Sequence, residues 1–466
     1  MTQSIDLARY ITSGQRIRFA EQKCDAPRFY IQTYGCQMNV ADSEVISSVM
    51  LDNGYALSHT AESADIIFIN TCAIRDNAEQ RIRNKLQAMQ VLKKKKKHLI
   101  VGLLGCMAER LKEQLLEEEK ILNLVAGPDA YRSLPKLVKQ AETGSKAINV
   151  LLSAEETYAD ISPVRRNPNN VSAFVSITRG CDNMCAFCVV PYTRGRERSR
   201  RPGSILREVM EIRSEGYKEI TLLGQNVDKY NWNKGEVSFA RLLQTVAENA
   251  PDMRLRFATS YPQNFTDEVI EIMAKYPNIC KYIHLPVQSG SNSMLRKMRR
   301  GYTVEKYMKI INNIRRAIPD CAISTDIIAG YCAETEEDHQ ATLQVMREVG
   351  YDFAYMFKYS ERPNTYAQKH YEDDIDEADK TRRLNEIIAL QQELSLSSNQ
   401  KDIGKTFEVL VEGKSKKSDL RHYGRNSQNK VIVFPKENSK IGDYVQVKVE
   451  KCTSATLTGT IVSSQK

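Results

Sequence analysis

Long apolar runs are missing from this 466-residue chain. The longest, at 99–108, falls far short of the roughly 20 residues a membrane-crossing helix needs. The first twenty residues carry no apolar signal core. A membrane-spanning or secreted protein is not the expectation from these features; a cytoplasmic enzyme is. Histidine is scarce: the six, His59, His98, His284, His339, His370 and His422, all lie away from the cysteines clustered at 181–188. Acidic residues are outnumbered, 58 against 67 Lys and Arg, for a net charge of +9. Eleven cysteines in a chain without a secretory signal do not read as a disulfide framework and point to metal or redox chemistry.

The densest cysteine signal is Cys181-Asp-Asn-Met-Cys185-Ala-Phe-Cys188, placed just after an apolar run ending Val175-Ser176-Ile177. Thiolates are soft ligands for zinc or iron–sulfur clusters, and three within eight residues can grip one face of a cubane. No fourth ligand lies nearby. A structural zinc site normally closes with four protein ligands, whereas three leave a position open for chemistry. The competing readings are a zinc knuckle borrowing a distant ligand and a [4Fe–4S] cluster with one free iron.

Upstream, 28–36, 65–72 and 99–106 repeat one design, a β-branched or aromatic run that ends in a small or polar residue and then a cysteine. Helical patterns lie between them at 42–53 and 76–92. Strand–helix alternation implies a parallel sheet with right-handed crossovers, so Cys36, Cys72 and Cys106 should gather at one sheet edge as a second three-thiol site. The alternative is three unrelated buried thiols. Cys24 stands outside the pattern, and Cys280, Cys321 and Cys452 read as inert thiols in apolar strands. The lysine run 93–97 reads as a solvated turn, with backbone-phosphate contact as the lesser reading.

After a Pro- and Asn-rich linker at 158–170, strand patterns at 172–178, 219–224, 254–259, 282–287, 322–329 and 351–359 alternate with helical ones at 205–215, 239–249, 267–275, 304–317 and 336–349. These make a partial (β/α)6 barrel, whose working residues belong at the C-terminal strand ends. A charged helical segment at 376–397 leads to four short strands, 405–412, 430–434, 444–450 and 457–462, patterned as a small β-barrel. From 399 onward there are 13 Lys and Arg against 7 Asp and Glu, most of the chain's surplus, which suggests a polyanionic partner such as RNA. The expected organisation is an α/β chain of three domains: an open parallel α/β domain at 26–150, the barrel core at 167–398 and the β-barrel at 399–466.

Arg194, Arg196, Arg198 and Arg200 alternate along 192–201. If that stretch is extended, period two sets all four on one side, where bidentate guanidinium groups would cradle an RNA backbone. The alternative is a solvent-facing basic edge.

The CxxxCxxC spacing resembles the radical S-adenosylmethionine (SAM) superfamily. The segments CVVPYTRGRERSRRPGSI, LLGQNVDKY, HLPVQSGS, TDIIAGYCAETEED and YSERPNTYA, with YGCQMN, NTCAIR and LGCMAER, are similar to the MiaB group of methylthiotransferases from about residue 28 onward. The resemblance implies an enzyme with two [4Fe–4S] clusters that installs a methylthio group at C2 of an N6-isopentenylated adenosine beside the tRNA anticodon. By motif match, Cys181, Cys185 and Cys188 would hold the SAM-cleaving cluster, and Cys36, Cys72 and Cys106 an auxiliary cluster carrying the sulfur. One SAM would give the methyl group and another the radical. Phe187, Gly224, Gln225, Ser260, Gln288 and Glu334 are the corresponding candidate SAM contacts. The terminal barrel resembles the TRAM domain, and the resemblance further implies an electron donor such as flavodoxin or ferredoxin, a monomer, and no membrane. Sister enzymes act on threonylcarbamoyladenosine in tRNA or on a ribosomal-protein aspartate. One departure is Tyr331-Cys332-Ala333, where the family usually has Phe-Pro-Gly; Cys332 is there a candidate reactive thiol.

Overall fold

The computed structural model describes residues 26–72, 76–165 and 171–464; Cys24 lies outside the described residues. Strands Arg28–Thr33, Ile66–Thr71 and Ile100–Gly105 form the centre of a six-stranded sheet in which every pairing is parallel. Ile66–Thr71 and Ile100–Gly105 are buried along their whole length and each carries four Ile, Val, Leu or Phe residues, as expected for strands covered on both faces. Helices Gln37–Asp52 and Leu134–Glu142 cover one face through Val45, Ile46, Leu134 and Val138, and helices Asp76–Lys95 and Cys106–Glu118 cover the other through Ile82, Leu86, Met107 and Leu115. This is the expected open α/β sheet, with Ala56–Leu57, Leu124–Ala126 and Ala147–Asn149 added at its edges.

The lysine run is solvated, with Lys94, Lys95 and Lys97 exposed as the sequence reading expected, but most of it is a helix end and not a turn. The helix continues through Lys95, where cations suit the negative end of the dipole. Lys93 then bonds the Leu99 carbonyl, and Lys96 bonds that of Ala64 at 3.0 Å.

The middle region contains six parallel strands in two halves, one ordered Arg254–Phe257, Glu219–Leu223, Ser172–Ser176 and the other Tyr282–His284, Ala322–Ala329, Phe353–Lys358. A bridge between Leu255 and Ile279 joins the halves into the partial barrel. The crossover helices sit outside it on a single large apolar core. Helix Glu377–Gln400 then leads to a closed five-strand barrel, one strand more than expected. That barrel plugs the N-terminal ends of the first half. Arg254 donates to the carbonyls of Arg425 and Glu408, and Arg256 to those of Asn426 and Ser427. Among the described residues no helix is long and apolar enough to cross a membrane.

Candidate active site

Each early cysteine sits where a strand of the sheet ends. Cys36 is the N-cap of helix Gln37–Asp52 and Cys106 opens helix Cys106–Glu118, so both thiols lie at positive helix ends. Glycines make the convergence possible. Gly35 has φ +107°, and a Cβ there would come within 2.5 Å of the Cys72 Cβ; Gly105, at φ +90°, would place one 2.5 Å from the Thr71 carbonyl. With no side chain at either position the three thiol loops close on one another. A hydrogen bond from Cys72 pulls the Cys36 thiol down to about 6, against desolvation, with Arg194 assisting. Burial raises Cys106, and the Arg194 charge opposes that rise.

Behind the thiols lies a polar scaffold. Asn39 Oδ1 accepts from Arg194 at 2.9 Å and from the Cys36 thiol at 3.8 Å, while the Asn39 amide donates to the Tyr34 carbonyl at 2.7 Å. Asn70 anchors this helix through the Asn39 carbonyl and Ser43.

The later cysteines are held by one loop. Gly180 N–H donates to Gln225 Oε1 at 2.6 Å, Cys181 N–H to the Gly195 carbonyl at 3.1 Å, and Cys188 N–H to the Cys185 carbonyl at 3.0 Å. Arg300 donates to Cys185 Sγ at 3.3 Å and to the Pro286 carbonyl at 2.9 Å, lying over the Tyr261 ring. Burial pushes Cys181 up to about 11 and Cys188 up to about 12. A thiol raised this way ionises only when a cation binds it, as metal ligation requires. Both triads therefore offer the soft, three-donor set that suits an iron–sulfur cluster better than a closed zinc site.

The arginine run is corrected by the structure. Pro191 starts a short helix, Val190–Arg194, and Gly195 turns the chain into strand Arg198–Ser199, so the stretch is not extended and its side chains do not share a side. Arg194 pairs with Asp42 at 2.8 Å, Arg198 with Asp129 at 3.0 Å, and Arg200 with Glu208, all buried. Arg179 joins them on Asp42 at 2.8 Å. Arg194 and Arg198 weld the barrel to the sheet domain, Arg200 braces strand Ser172–Ser176 and the helix carrying Glu208 within the barrel, and none of the three presents a face to phosphate. Arg196 alone of the four stays exposed, 3.4 Å from Asp182. The weld also makes the triads neighbours, because Arg194 reaches the Cys36 scaffold from a helix that begins two residues after Cys188.

A cavity of about 220 Å³ opens beside Cys188, lined by Phe187, Gln288, Asp326, Phe357, Tyr359 and Arg362 among others. Of the candidate SAM contacts, Phe187 and Gln288 lie in its wall, and Gln288 adopts φ +72° with its N–H on the Asp326 carbonyl at 2.9 Å. The others lie outside that wall. Gly224 packs where a Cβ would strike Thr178, Gln225 holds Gly180, and the Ser260 hydroxyl is buried without a partner. Glu334 is engaged by the Gly330 N–H at 2.7 Å and by Arg383 at 3.0 Å, stapling its loop to helix Glu377–Gln400. Cys332 is buried among Met294, Tyr331 and Tyr359, and burial raises its thiol; it is not an accessible reactive group. Sequence reasoning missed Arg300 and Asp326. The signal for Asp326 was a carboxylate in the apolar strand Ala322–Ala329. Arg300 had none, since only folding brings it to Cys185.

Another acidic grouping, Glu336, His339 and Glu386, is already neutralised by Arg382, which contacts Glu336 at 2.7 Å and Glu386 at 2.8 Å. It acts as a strut between two helices.

Family comparisons agree with this architecture. Residues 28–127 match the uncharacterized protein family UPF0004, 175–346 the Radical SAM superfamily and 400–462 the TRAM domain. A tRNA-2-methylthio-N(6)-dimethylallyladenosine synthase of Amoebophilus asiaticus is 56% identical over 446 residues, covering 93% of this chain and 92% of the relative. One of the same name from Bacteroides thetaiotaomicron is 58% identical over 438 residues, covering 93% and 96%. Among solved structures, the radical S-adenosylmethionine methyltransferase TsrM of Kitasatospora setae, with cobalamin and a [4Fe–4S] cluster bound, shares the fold at TM-score 0.58 and 13% identity, over 74% of this chain and 77% of its own. With near full-length identity above one half to those synthases, and with SAM and [4Fe–4S] clusters as its cofactors, the chain belongs to the MiaB-type family of radical SAM methylthiotransferases.

Proposed function

We propose that the protein is a tRNA-2-methylthio-N6-dimethylallyladenosine synthase, replacing the C2 hydrogen of N6-isopentenylated adenosine next to the anticodon with a methylthio group. The observation that carries this reading is the pair of three-thiol sites joined through Arg194. Cys181, Cys185 and Cys188 would hold the SAM-binding cluster, and Cys36, Cys72 and Cys106 the auxiliary one. When bound, these groups supply one-electron chemistry and a sulfur source, which an adenine C2–H without useful acidity calls for.

The chain's own residues prepare the site. Arg300, fixed by the Pro286 carbonyl and stacked on Tyr261, holds an N–H donor 3.3 Å from the Cys185 sulfur and so orients that side chain. Phe187, Phe357 and Tyr359 give the cavity beside Cys188 apolar walls that exclude water, while Gln288, Asp326 and Arg362 supply polar groups to orient a ligand. The tRNA is the macromolecular partner, and a small one-electron protein such as flavodoxin or ferredoxin is the reductant of a monomeric, cytoplasmic enzyme.

Mass analysis of tRNA nucleosides from a strain lacking the gene tests the substrate. Loss of the 2-methylthio form, with accumulation of isopentenyladenosine, is expected. Loss of a methylthio group from threonylcarbamoyladenosine instead would overturn the assignment in favour of the sister enzyme.

A further inference from the structure

Strands Tyr282–His284, Ala322–Ala329 and Phe353–Lys358 pair with His284 opposite Ser324, Ser324 opposite Phe353, and Asp326 opposite Tyr355. Side chains alternate along a strand, so these residues share the face turned away from the crossover helices. The contacts agree. His284 Nδ1 lies 2.9 Å from Ser324 Oγ and its Nε2 3.4 Å from Asp326. The His284 ring meets Tyr355 edge-on at 5.7 Å, and Tyr355 meets Phe353 edge-on at 4.9 Å. The opposite face sends Ile323 and Ile327 into the core.

On this face Phe353 and Tyr355 remain 48% and 46% exposed, which is unusual for large rings on a barrel strand. The strand that carries them ends its half-sheet with one neighbour. Upward, the face runs through Asp326 and Phe357 into the cavity beside Cys188. Downward, Tyr282 reaches Asn429 of the terminal barrel, the module with most of the chain's positive surplus. Open aromatic rings between a reaction cavity and a basic module match one ligand chemistry, a single strand of nucleic acid whose bases stack while its phosphates face the cations. A base must leave its stack to enter a cavity, and its neighbours then need a surface.

We propose that Tyr355 and Phe353 form a stacking platform for the RNA nucleotides flanking the base that enters the cavity beside Cys188, with His284, clamped by Ser324 and Asp326, setting the Tyr355 ring. The proposal rests on the tRNA reading above. It also supplies an RNA contact where the arginine run does not.

The test uses the reconstituted full-length protein and a fluorescent, isopentenylated anticodon stem-loop RNA, with affinity measured by anisotropy at several salt concentrations. Tyr355→Ala and Phe353→Ala should each weaken binding roughly fivefold to hundredfold without changing the slope of log affinity against log salt, since stacking releases no counterions. Tyr355→Phe should bind as the unaltered protein does, and Tyr355→Leu, which keeps an apolar side chain but no aromatic face, should bind as weakly as Tyr355→Ala. Thermal melts establish that each variant folds; should the alanine variants not fold, the leucine and phenylalanine variants decide. Unchanged affinity in a folded Leu variant, or a flattened salt slope, would overturn the platform. Failure of the unaltered protein to bind the RNA would instead defeat the tRNA reading.

Discussion

The two thiol sites assemble the same three-cysteine donor set by different means. The later triad is local: three cysteines in eight residues, shaped by Gly180, Gln225 and Arg300 around one loop. The earlier triad is topological. Its members stand 36 and 34 residues apart and meet only because three parallel strands end at one edge, with Gly35 and Gly105 letting the loops touch. A local site depends on its loop, whereas a topological one depends on the sheet and on whatever holds that sheet against its neighbour. Here the holding is done by buried charge.

The comparison breaks most sharply by removing cysteines. Changing Cys36, Cys72 and Cys106 together to Ala should abolish methylthiolation and halve the iron and sulfide of the anaerobically reconstituted protein, while cleavage of SAM by the later triad persists; iron analysis and a SAM-cleavage assay check both. The reciprocal triple variant at 181, 185 and 188 should also halve the iron but lose SAM cleavage.

Next in size, Asp42→Ala would leave Arg179 and Arg194 buried without their shared carboxylate, at a cost of about 3–5 kcal/mol. Denaturant unfolding measures it, and cluster loss should fall first on the early site. A smaller effect comes from Ala333, which takes φ +58° where the family usually has glycine. Ala333→Gly should stabilise the protein by roughly 0.5–1 kcal/mol, read from a urea melt, because the left-handed region penalises Cβ.

The smallest effect concerns pH. Burial raises the Glu109 carboxyl in the early domain to about 7. A carboxyl raised above its unfolded value contributes stability at low pH and loses it as pH rises toward 7. Glu109→Gln should therefore flatten the decline in melting temperature between pH 5 and 8.

Much of the barrel was legible. Helices Phe239–Asn249, Asp267–Lys275, Val304–Ala317 and Glu336–Val349 fall where their apolar spacing put them, with Ser238, Thr303 and Thr335 capping three of them by accepting a backbone N–H. The strand Ser418–Arg425 was not legible. Its polar, glycine-containing run looks like a loop and becomes a strand only because barrel closure pairs it on both sides. The arginine run misled for a related reason. Alternating arginines describe a basic edge only if the chain is extended, and the Pro191 helix start was the overlooked local cue.

By itself the sequence determined that two groups of three thiols exist, that a parallel α/β sheet precedes a partial barrel and a small basic β-barrel, and which family this resembles. Those are matters of residue type, spacing and periodicity, which act within a few turns of chain. Only the tertiary structure decided that Arg194, Arg198 and Arg200 turn inward to Asp42, Asp129 and Glu208, that Arg300 meets Cys185, and that Phe353 and Tyr355 stay open. A charged side chain takes whichever partner folding carries to it, and burial makes that choice binding, since a guanidinium removed from water must find a carboxylate.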